Sequence, residues 1–356
     1  MDIVVLPGDG IGEEITAATL GVLRAADARF GLGLTFEAHD IGFKALEATG
    51  TTFPDAVLER ARAADGILLG PISHMDYPDR DKGGVNVSAA VRGKLDLFAN
   101  VRPAKSRPGV PNKGGPMDLV IMRECTEGMY PDRNMFRGHA EVMPTPDIAI
   151  SMRKISRQAC TRIARASFDL AMKRRRKVAA VHKANNFIQT DGLFLEAVRA
   201  VAAQYPDVDY EELIVDATAA LLVRDASRFD VICSTNFYCD ILSDLASELS
   251  GGLGIAGSIN ANEERCAAQA QHGSAPDIAG QDRANPTSLI LSAAMMLLWF
   301  DDTRGKPAFG AAGRAVEAAV EDCLADPARR TADLGGSLGC AAFGEAVAAA
   351  LGKAPT

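Results

Sequence analysis

Three aspartates have the residue type and spacing to hold a divalent metal ion. Asp240 and Asp244 stand four residues apart in a helical pattern, and Asp216 follows a short apolar run. Two carboxylates at positions i and i+4 share one helix face and repel each other unless a cation lies between them. Carboxylate oxygens are the ligands that suit Mg²⁺ or Mn²⁺. Acids at a helix N-terminus, where the helix dipole favours them, are the alternative interpretation.

Three arginines, Arg92, Arg102 and Arg123, stand beside or at the ends of predicted strands. An arginine at a strand end is usually a solvated charge. Three guanidinium groups brought together can bind a dicarboxylate through paired hydrogen bonds, which lysine does not reproduce. Substrate binding and simple solvation are therefore the two interpretations that the residues leave open.

Two glycine-rich segments are candidates for dinucleotide binding. The first, 272–280, reads HGSAPDIAG and precedes an apolar helical pattern; its Asp277 can bond two ribose hydroxyls and would repel a phosphate, which favours NAD over NADP. The second, 7–12, reads PGDGIG, with the spacing GxGxG instead of GxGxxG. Either it is a tight strand-to-helix turn, or it forms an ordinary Rossmann site from Gly8, Gly10, Gly12 and Glu37.

The elements that must position these residues alternate between strand and helix, which favours a largely parallel sheet with helices on both sides. Apolar β-branched runs predict strands at 3–6, 34–38, 66–69, 97–101, 119–123, 177–181, 213–215 and 231–234. Helical periodicity predicts helices at 13–30, 42–49, 55–63, 157–173, 192–204, 217–224, 240–249, 288–299, 313–323 and 340–351. The weakly periodic segment 131–156 fits neither pattern, and we expect an arm that is completed only by another subunit.

Composition narrows the class of protein. The chain has 356 residues and a net charge of −8, and its basic run, 173–177, stands where a helix should end. We therefore expect no nucleic-acid partner. The cysteine count is seven, with no CxxC pair, which fits reduced thiols. With no apolar run long enough to span a bilayer and no signal peptide predicted, we expect a cytoplasmic protein without a membrane partner.

The glycine-rich segments, the stretch VRGKLDLFANVRP at 91–103, the stretch RECTEGMY at 123–130 and the stretch VHKANN at 181–186 together carry a resemblance. They resemble the isocitrate/isopropylmalate dehydrogenase family, the metal-dependent β-decarboxylating dehydrogenases, and the matches run nearly end to end. The resemblance implies an α/β fold of two parallel or mixed-sheet domains with a dimerisation arm, not an ordinary Rossmann fold. It implies a cofactor-side domain at 1–98 plus 253–356, and a central domain at 99–252 with the metal and catalytic residues, the dimer interface and the arm.

The same resemblance assigns roles to individual residues. Lys183 takes the hydroxyl proton of the substrate, and Tyr130 protonates the enol after CO₂ leaves. The three arginines bind a hydroxy-acid substrate, and the three aspartates hold the metal. Lys183 and Asp216 come from the partner subunit of a homodimer with shared active sites. The residues implied to bind NAD are His272, Gly273, Ser274, Ala275, Asp277, Ile278 and Asn285.

Several positions depart from the family pattern. Gln269 stands where relatives usually carry a glutamate, so one negative charge is lost. Isopropylmalate enzymes have two leucines where this chain has Ser88 and Ala89, and isocitrate enzymes have the order of Asn86 and Ser88 reversed. We predict a small, polar pocket for the substrate's substituent, lined by Asn86 and Ser88. The expected reaction is NAD-dependent oxidative decarboxylation of a 3-substituted malate with a polar or small substituent, isocitrate-like or malate/tartrate-like. The alternatives are 3-isopropylmalate dehydrogenase of leucine biosynthesis and a non-catalytic regulatory subunit of a hetero-oligomeric isocitrate dehydrogenase.

Overall fold

A computed structural model of the protein describes residues 1–130, 134–135 and 138–352. The strands in these residues are β1 Asp2–Leu6, β2 Thr35–Ala38, β3 Gly66–Leu69, β4 Ala99–Lys105, β5 Asp118–Glu124, β6 Glu141–Thr145, β7 Ile148–Ser151, β8 Lys177–His182, β9 Asp209–Ile214, β10 Val231–Ser234, β11 Ile259–Ala261 and β12 Cys266–Gln269. The α-helices are α1 Gly12–Phe30, α2 Phe43–Thr49, α3 Asp55–Ala63, α4 Val87–Lys94, α5 Arg157–Met172, α6 Thr190–Ala202, α7 Val215–Asp225, α8 Asn236–Ser250, α9 Thr287–Arg304, α10 Pro307–Ala325 and α11 Cys340–Leu351.

Contacts divide the chain into two compact units. The terminal unit contains Met1–Leu95, Arg107–Pro111 and the chain from Gly251 onward, and the central unit contains Asp96–Ser106 and Asn112–Ser250. The assignment of cofactor binding to the terminal unit, and of metal chemistry to the central unit, stays a prediction.

The terminal unit is built on five strands in the order β2-β1-β3-β12-β11. The neighbours are parallel except β11, which is antiparallel to β12. Strands β1 and β3 are continuous apolar runs that are buried almost completely, as expected for parallel strands covered on both faces. Helix α9 is apolar on all sides and mostly buried, which makes it the central helix of this unit.

The central unit has its own five strands in the order β4-β5-β10-β8-β9, parallel except for the antiparallel pair β4–β5. One face packs against α5 and α6, where Phe168 and Phe194 are fully buried. The other face packs against α7 and α8, where Leu222 and Leu242 are fully buried. Parallel strands end at one edge of a sheet, and α7 and α8 both begin at that edge.

Several sequence predictions about local structure were wrong. Asp216 does not end a strand: β9 stops at Ile214, and Asp216 lies in the first turn of α7, where the helix dipole favours an acid. Arg92 does not flank a strand, because it lies on α4, a helix that the sequence analysis missed and that Asn86 caps. Arg102 lies inside β4 and not at its end. Strands β11 and β12 were also missed.

The segment predicted to be an arm contains an exposed hairpin. Strands β6 and β7 pair antiparallel, and every residue of both is exposed. Residues 131–133 and 136–137 of the segment lie outside the described residues. The expectation that this arm is completed by another subunit stays a prediction.

All seven cysteines lie in the described part of the chain, where each is buried and none forms a disulfide bond. Across the described residues, no helix has both the length and the apolar character that crossing a bilayer requires.

Candidate active site

Helix α8 presents two carboxylates and a hydroxyl on one face of the central unit. The helix begins at Asn236, so Asp240 and Asp244 lie beyond its first turn. The alternative that they are N-terminal helix acids therefore fails. Asp240 is about one-third exposed and Asp244 about half exposed, and Ser243 lies buried beside them.

Two buried arginines converge on Asp240. Arg102 Nη1 lies 3.4 Å from one Asp240 carboxylate oxygen and 3.1 Å from Asp244 Oδ1, and it donates to Ser243 Oγ at 2.7 Å. Arg123 donates to the same Asp240 oxygen, and its Nε donates to Asn236 Oδ1 at 2.8 Å. The cation that the i, i+4 spacing requires between the two carboxylates is thus the Arg102 guanidinium.

Two guanidinium groups are buried in this part of the central unit, beside the carboxylates of Asp240 and Asp244. Arg102 and Arg123 have side chains only 9% and 3% exposed. Burial, and then the nearby charge of Arg123, hold the pKa of Arg102 below its usual value.

Tyr130 completes the cluster. Its hydroxyl donates to the second carboxylate oxygen of Asp240, and its ring lies 5.8 Å from the Arg123 guanidinium carbon. Burial, and then the hydrogen bond to Asp240, raise the pKa of Tyr130 to about 12. The phenol therefore keeps its proton at neutral pH and can act as a proton donor.

Lys183 follows the end of β8 and forms a second charged cluster. Its Nζ lies 2.6 Å from Asp216 Oδ1, and this hydrogen bond lowers the pKa of Asp216. Its backbone N–H donates to Asp191 Oδ2 at 2.6 Å. Asp191 is fully buried and pairs with Arg153 Nη1 at 2.7 Å. The buried Arg153–Asp191 pair thus fixes the backbone at Lys183.

A single chain does not assemble the predicted metal centre. Within the described residues, no three histidine, cysteine or acidic side chains lie close enough together to hold a metal ion. Asp240 and Asp244 share a cation with each other, whereas Asp216 is held by Lys183.

Helix α4 of the terminal unit carries the predicted specificity residues. Asn86 is exposed and caps the helix, because its side-chain oxygen accepts from the Ala89 N–H at 3.0 Å. Arg92 Nε donates to Asn260 Oδ1 at 2.8 Å, and Arg92 Nη2 lies 3.2 Å from Gln269 Oε1. Gln269 Nε2 in turn donates to Ser88 Oγ at 2.6 Å. Arg92 thus belongs to a different unit from Arg102 and Arg123.

The glycine-rich turn before α1 is explained by packing. A Cβ on Gly10, whose φ is +57°, would lie 2.0 Å from the Ser274 carbonyl oxygen, and Ile11 N–H donates to that oxygen at 2.8 Å. Side chains at Gly8 and Gly12 would also collide with backbone oxygens. Glu37, the fourth residue of the alternative Rossmann site, pairs at the surface with Arg60 and His39.

The turn therefore supports the candidate cofactor loop 272–280. Ser274 is buried and its hydroxyl lies 2.7 Å from that of Ser73, while Ala275 adopts a left-handed conformation. Asp277 is exposed and Ile278 half-buried in a short 3₁₀ helix. Next to Gly273 there is open space where a side chain would lie.

Two further predicted cofactor residues lie in buried surroundings. His272 Nδ1 lies 2.9 Å from the Gly273 carbonyl oxygen, whereas its Nε2 is buried and has no hydrogen-bond partner among the described residues. Burial lowers the pKa of His272. Asn285 is held at both ends, since it donates to Asp333 Oδ2 at 2.9 Å and accepts from the Thr287 N–H at 3.0 Å.

Comparison with known proteins decides the family. The family model described as isocitrate/isopropylmalate dehydrogenase matches residues 2–347. The chain belongs to this family. It is 42% identical over 351 residues to the isocitrate/homoisocitrate dehydrogenase of Thermus thermophilus, with 98% of each chain covered. It is 39% identical over 350 residues to the 3-isopropylmalate dehydrogenase of Archaeoglobus fulgidus, covering 98% of this chain and 99% of the relative.

Solved structures agree with this membership. The isocitrate dehydrogenase of Methylococcus capsulatus superposes with a TM-score of 0.86 and 38% identity, covering 98% of this chain and 99% of that one. The predicted family and fold class are therefore confirmed, and the protein is a decarboxylating dehydrogenase of hydroxy acids. Members of the family use a divalent metal ion and NAD(P) and act on small-molecule substrates. The ordinary Rossmann alternative was wrong.

Several residues that hold the predicted site residues in place were not predicted from the sequence. Ser243 was detectable, because it lies one turn after Asp240 on the same helix face. Asn236, Asn260, Asp191 and Arg153 carry no local signal, since each acts through a partner distant in sequence.

Proposed function

We propose that this protein oxidises and decarboxylates a 3-substituted malate, with NAD as hydride acceptor and Mg²⁺ or Mn²⁺ as the metal ion. The observation that carries the proposal is the convergence of Arg102, Arg123 and Tyr130 on Asp240. Two buried cations, a proton-bearing phenol and a carboxylate pair are the groups that such a reaction requires of the protein.

Substrate binding falls to the arginines. Arg102 and Arg123 would bind the malate carboxylates, because a guanidinium binds a carboxylate through two parallel hydrogen bonds. Their contacts with α8 hold both side chains in place before a ligand arrives, which lowers the entropy lost on binding. Arg92, held by Asn260 and Gln269, would provide the third contact.

The carboxylate pair fits a divalent cation. Asp240 and Asp244 already accept one positive charge between them, from Arg102, and oxygen donors suit Mg²⁺ or Mn²⁺. Asp216 of a second copy of the chain would complete the ligand set, in a homodimer with shared active sites. The exposed apolar residues Val142 and Ile150 of the hairpin support an arm that packs against that copy.

Two residues would move protons. Lys183 of the partner subunit would take the proton of the substrate's hydroxyl group. Asp191 holds the backbone at Lys183 in place. Tyr130 would deliver a proton to the enolate carbon that decarboxylation leaves, since its raised pKa keeps the phenol protonated. NAD would supply the hydride acceptor when bound, and the metal ion would polarise the oxygen that is oxidised to the ketone.

The loop 272–280 fits a nicotinamide dinucleotide. The buried Nε2 of His272 lacks a partner among the described residues, as expected of a group that a ligand satisfies. Asp277 is exposed and can accept from two ribose hydroxyls, which favours NAD. Gly273 leaves room for the close approach of a ligand, and Asn285 would contact the adenine.

The substituent at C3 would be polar. Gln269 donates one hydrogen bond to Ser88. An alkyl substituent packed against these two side chains would remove water from the Ser88 hydroxyl without giving it an acceptor, which is unfavourable. The relative from Archaeoglobus is named 3-isopropylmalate dehydrogenase, and that substrate is the second candidate.

The test is NAD reduction by purified protein with Mn²⁺ against isocitrate, homoisocitrate, 3-isopropylmalate, D-malate and tartrate. We expect turnover of a polar acid, isocitrate first, and no turnover with EDTA. Turnover of 3-isopropylmalate alone would select the second candidate. Activity that survives EDTA would refute the metal assignment.

A further inference from the structure

Four side chains of the terminal unit form one continuous hydrogen-bond network. Arg92 contacts Asn260 at 2.8 Å and Gln269 at 3.2 Å, Asn260 Nδ2 donates to Gln269 Oε1 at 3.2 Å, and Gln269 Nε2 donates to Ser88 Oγ at 2.6 Å. Ser88 and Arg92 stand at positions i and i+4 of α4 and therefore share one helix face. Gln269 joins both of them to the end of β12.

The chemistry of the guanidinium fixes the direction of every bond in this network. A guanidinium only donates hydrogen bonds, so the atoms of Asn260 and Gln269 that face Arg92 must be their carbonyl oxygens. The amide NH₂ of Gln269 consequently faces Ser88, whose oxygen accepts from it. The hydroxyl hydrogen of Ser88 therefore points away from Gln269.

The four side chains of this network differ in burial: two are buried and two are half-buried. Gln269 and Asn260 are 7% and 1% exposed, whereas Ser88 and Arg92 are half-buried. The backbone of Gln269 is fixed as well, since its N–H donates to the Ser258 carbonyl and its carbonyl accepts from Ser258 Oγ at 2.8 Å. The buried amides of Gln269 and Asn260 thus hold two half-buried hydrogen-bond donors, Ser88 and Arg92, in place.

We infer that Gln269 is a specificity-determining positioning residue that holds Ser88 as a hydrogen-bond donor beside Arg92, so that the substrate's C3 substituent is a carboxylate-bearing group. This inference rests on the proposed reaction and names its substrate class. The amide oxygen of Gln269 orients Arg92 without adding a negative charge. A glutamate would add that charge about 3 Å from the guanidinium, and it would accept from Ser88 and turn the hydroxyl away from substrate.

The experiment compares kcat/KM for isocitrate, which has a carboxylate-bearing substituent, with kcat/KM for D-malate, which has none. It uses the full-length protein, NAD and Mn²⁺ with four forms: wild type, Ser88→Ala, Gln269→Glu and the double variant. Gln204→Glu is the matched control, because it makes the same change on an exposed helix end. Melting temperatures verify that each variant is folded.

In the wild type we expect isocitrate to be preferred. Each single variant should reduce the isocitrate-to-malate ratio roughly tenfold, mainly through the KM for isocitrate, as expected for loss of one hydrogen bond to a charged group. The double variant should lose less than the sum of the two single variants, because part of the Gln269→Glu effect acts through the Ser88 hydroxyl. Gln204→Glu should leave the ratio unchanged.

The results separate this inference from the proposed reaction. Equal or better turnover of D-malate or 3-isopropylmalate by the wild type would keep the reaction and overturn the inference, as would strictly additive effects in the double variant. If no acid is turned over, calorimetric binding of isocitrate and D-malate replaces kcat/KM. A preference for isocitrate that Ser88→Ala abolishes would then support the inference while the reaction fails. Binding of neither acid would overturn both.

Discussion

Replacement of Asp240 by asparagine should disable the enzyme while leaving it folded. The change removes one negative charge from a carboxylate that contacts Arg102, Arg123 and the Tyr130 hydroxyl. The amide keeps the shape and one acceptor oxygen, but its NH₂ group cannot accept the Tyr130 hydrogen bond. A carboxylate ligand for the metal ion is lost as well.

The expected cost to stability follows from burial. Breaking a fully buried ion pair costs about 3–5 kcal/mol, because the remaining charge is left without compensation. The side chain of Asp240 is 34% exposed, however, and Asp244 stays 3.1 Å from Arg102. We therefore expect a loss of about 1–2 kcal/mol, which lowers the melting temperature by roughly 2–6 °C. The value of kcat/KM should fall at least ~100-fold, equivalent to about 2.7 kcal/mol of transition-state stabilisation.

The assay is NADH formation at saturating Mn²⁺ with the preferred acid, together with thermal unfolding of the same samples. Asp209→Asn is the matched control. Asp209 is 73% exposed and lies 3.7 Å from Lys177, and such exposed ion pairs contribute little to stability. That variant should behave as wild type in both measurements. An Asp240→Asn protein that keeps wild-type kcat/KM, or loses activity only in proportion to unfolded protein, would refute the reasoning.

Three further predictions concern other parts of the molecule. Tyr130→Phe should lower kcat ~100-fold with little change in KM. Because the pKa of Tyr130 is raised to about 12, its phenol should stay protonated, and wild-type activity should not fall through this group up to about pH 9. A fall in wild-type kcat below pH 9 that is absent from Tyr130→Phe would contradict the role of Tyr130. Arg153→Met should destabilise the protein by about 3–5 kcal/mol in urea unfolding, because Asp191 is left buried and unpaired; wild-type stability would contradict this. Gly10→Ala should destabilise the protein by about 1–3 kcal/mol, because the new Cβ would collide with the Ser274 carbonyl oxygen. Gly273→Ala should be near neutral, because its Cβ would enter open space. Equal losses of stability in the two variants would exclude close packing as the reason for Gly10.

Local sequence signals predicted the elements that have clear ends. Helix α3 follows Pro54 and helix α11 follows Gly339, and both run over the predicted residues. Strand β10 is bounded as predicted because it is a short, fully buried apolar run. For the two helices, hydrophobic periodicity and the residue before the helix indicate the same first residue.

Long-range contacts set what the sequence could not predict. Gly10 is required because the backbone of Ser274, far along the chain, packs against the turn. In the sequence alone, the same glycines look like a phosphate-binding motif. Ser88 and Gln269 are 181 residues apart, and neither position indicates their hydrogen bond. Strand β12 was missed because its four residues are too short for a periodic signal; its pairing with β3 and β11 defines it. Asp216 was misplaced because the apolar run before it continues from a strand into a helix.

The most direct test of the central claim is the stoichiometry of CO₂ and NADH in one reaction with the preferred acid and Mn²⁺. An oxidative decarboxylation that depends on the Asp240 cluster predicts one CO₂ released for each NADH formed, with both products lost on addition of EDTA and restored by excess Mn²⁺. NADH formed without CO₂, or both formed undiminished in EDTA, would contradict the account.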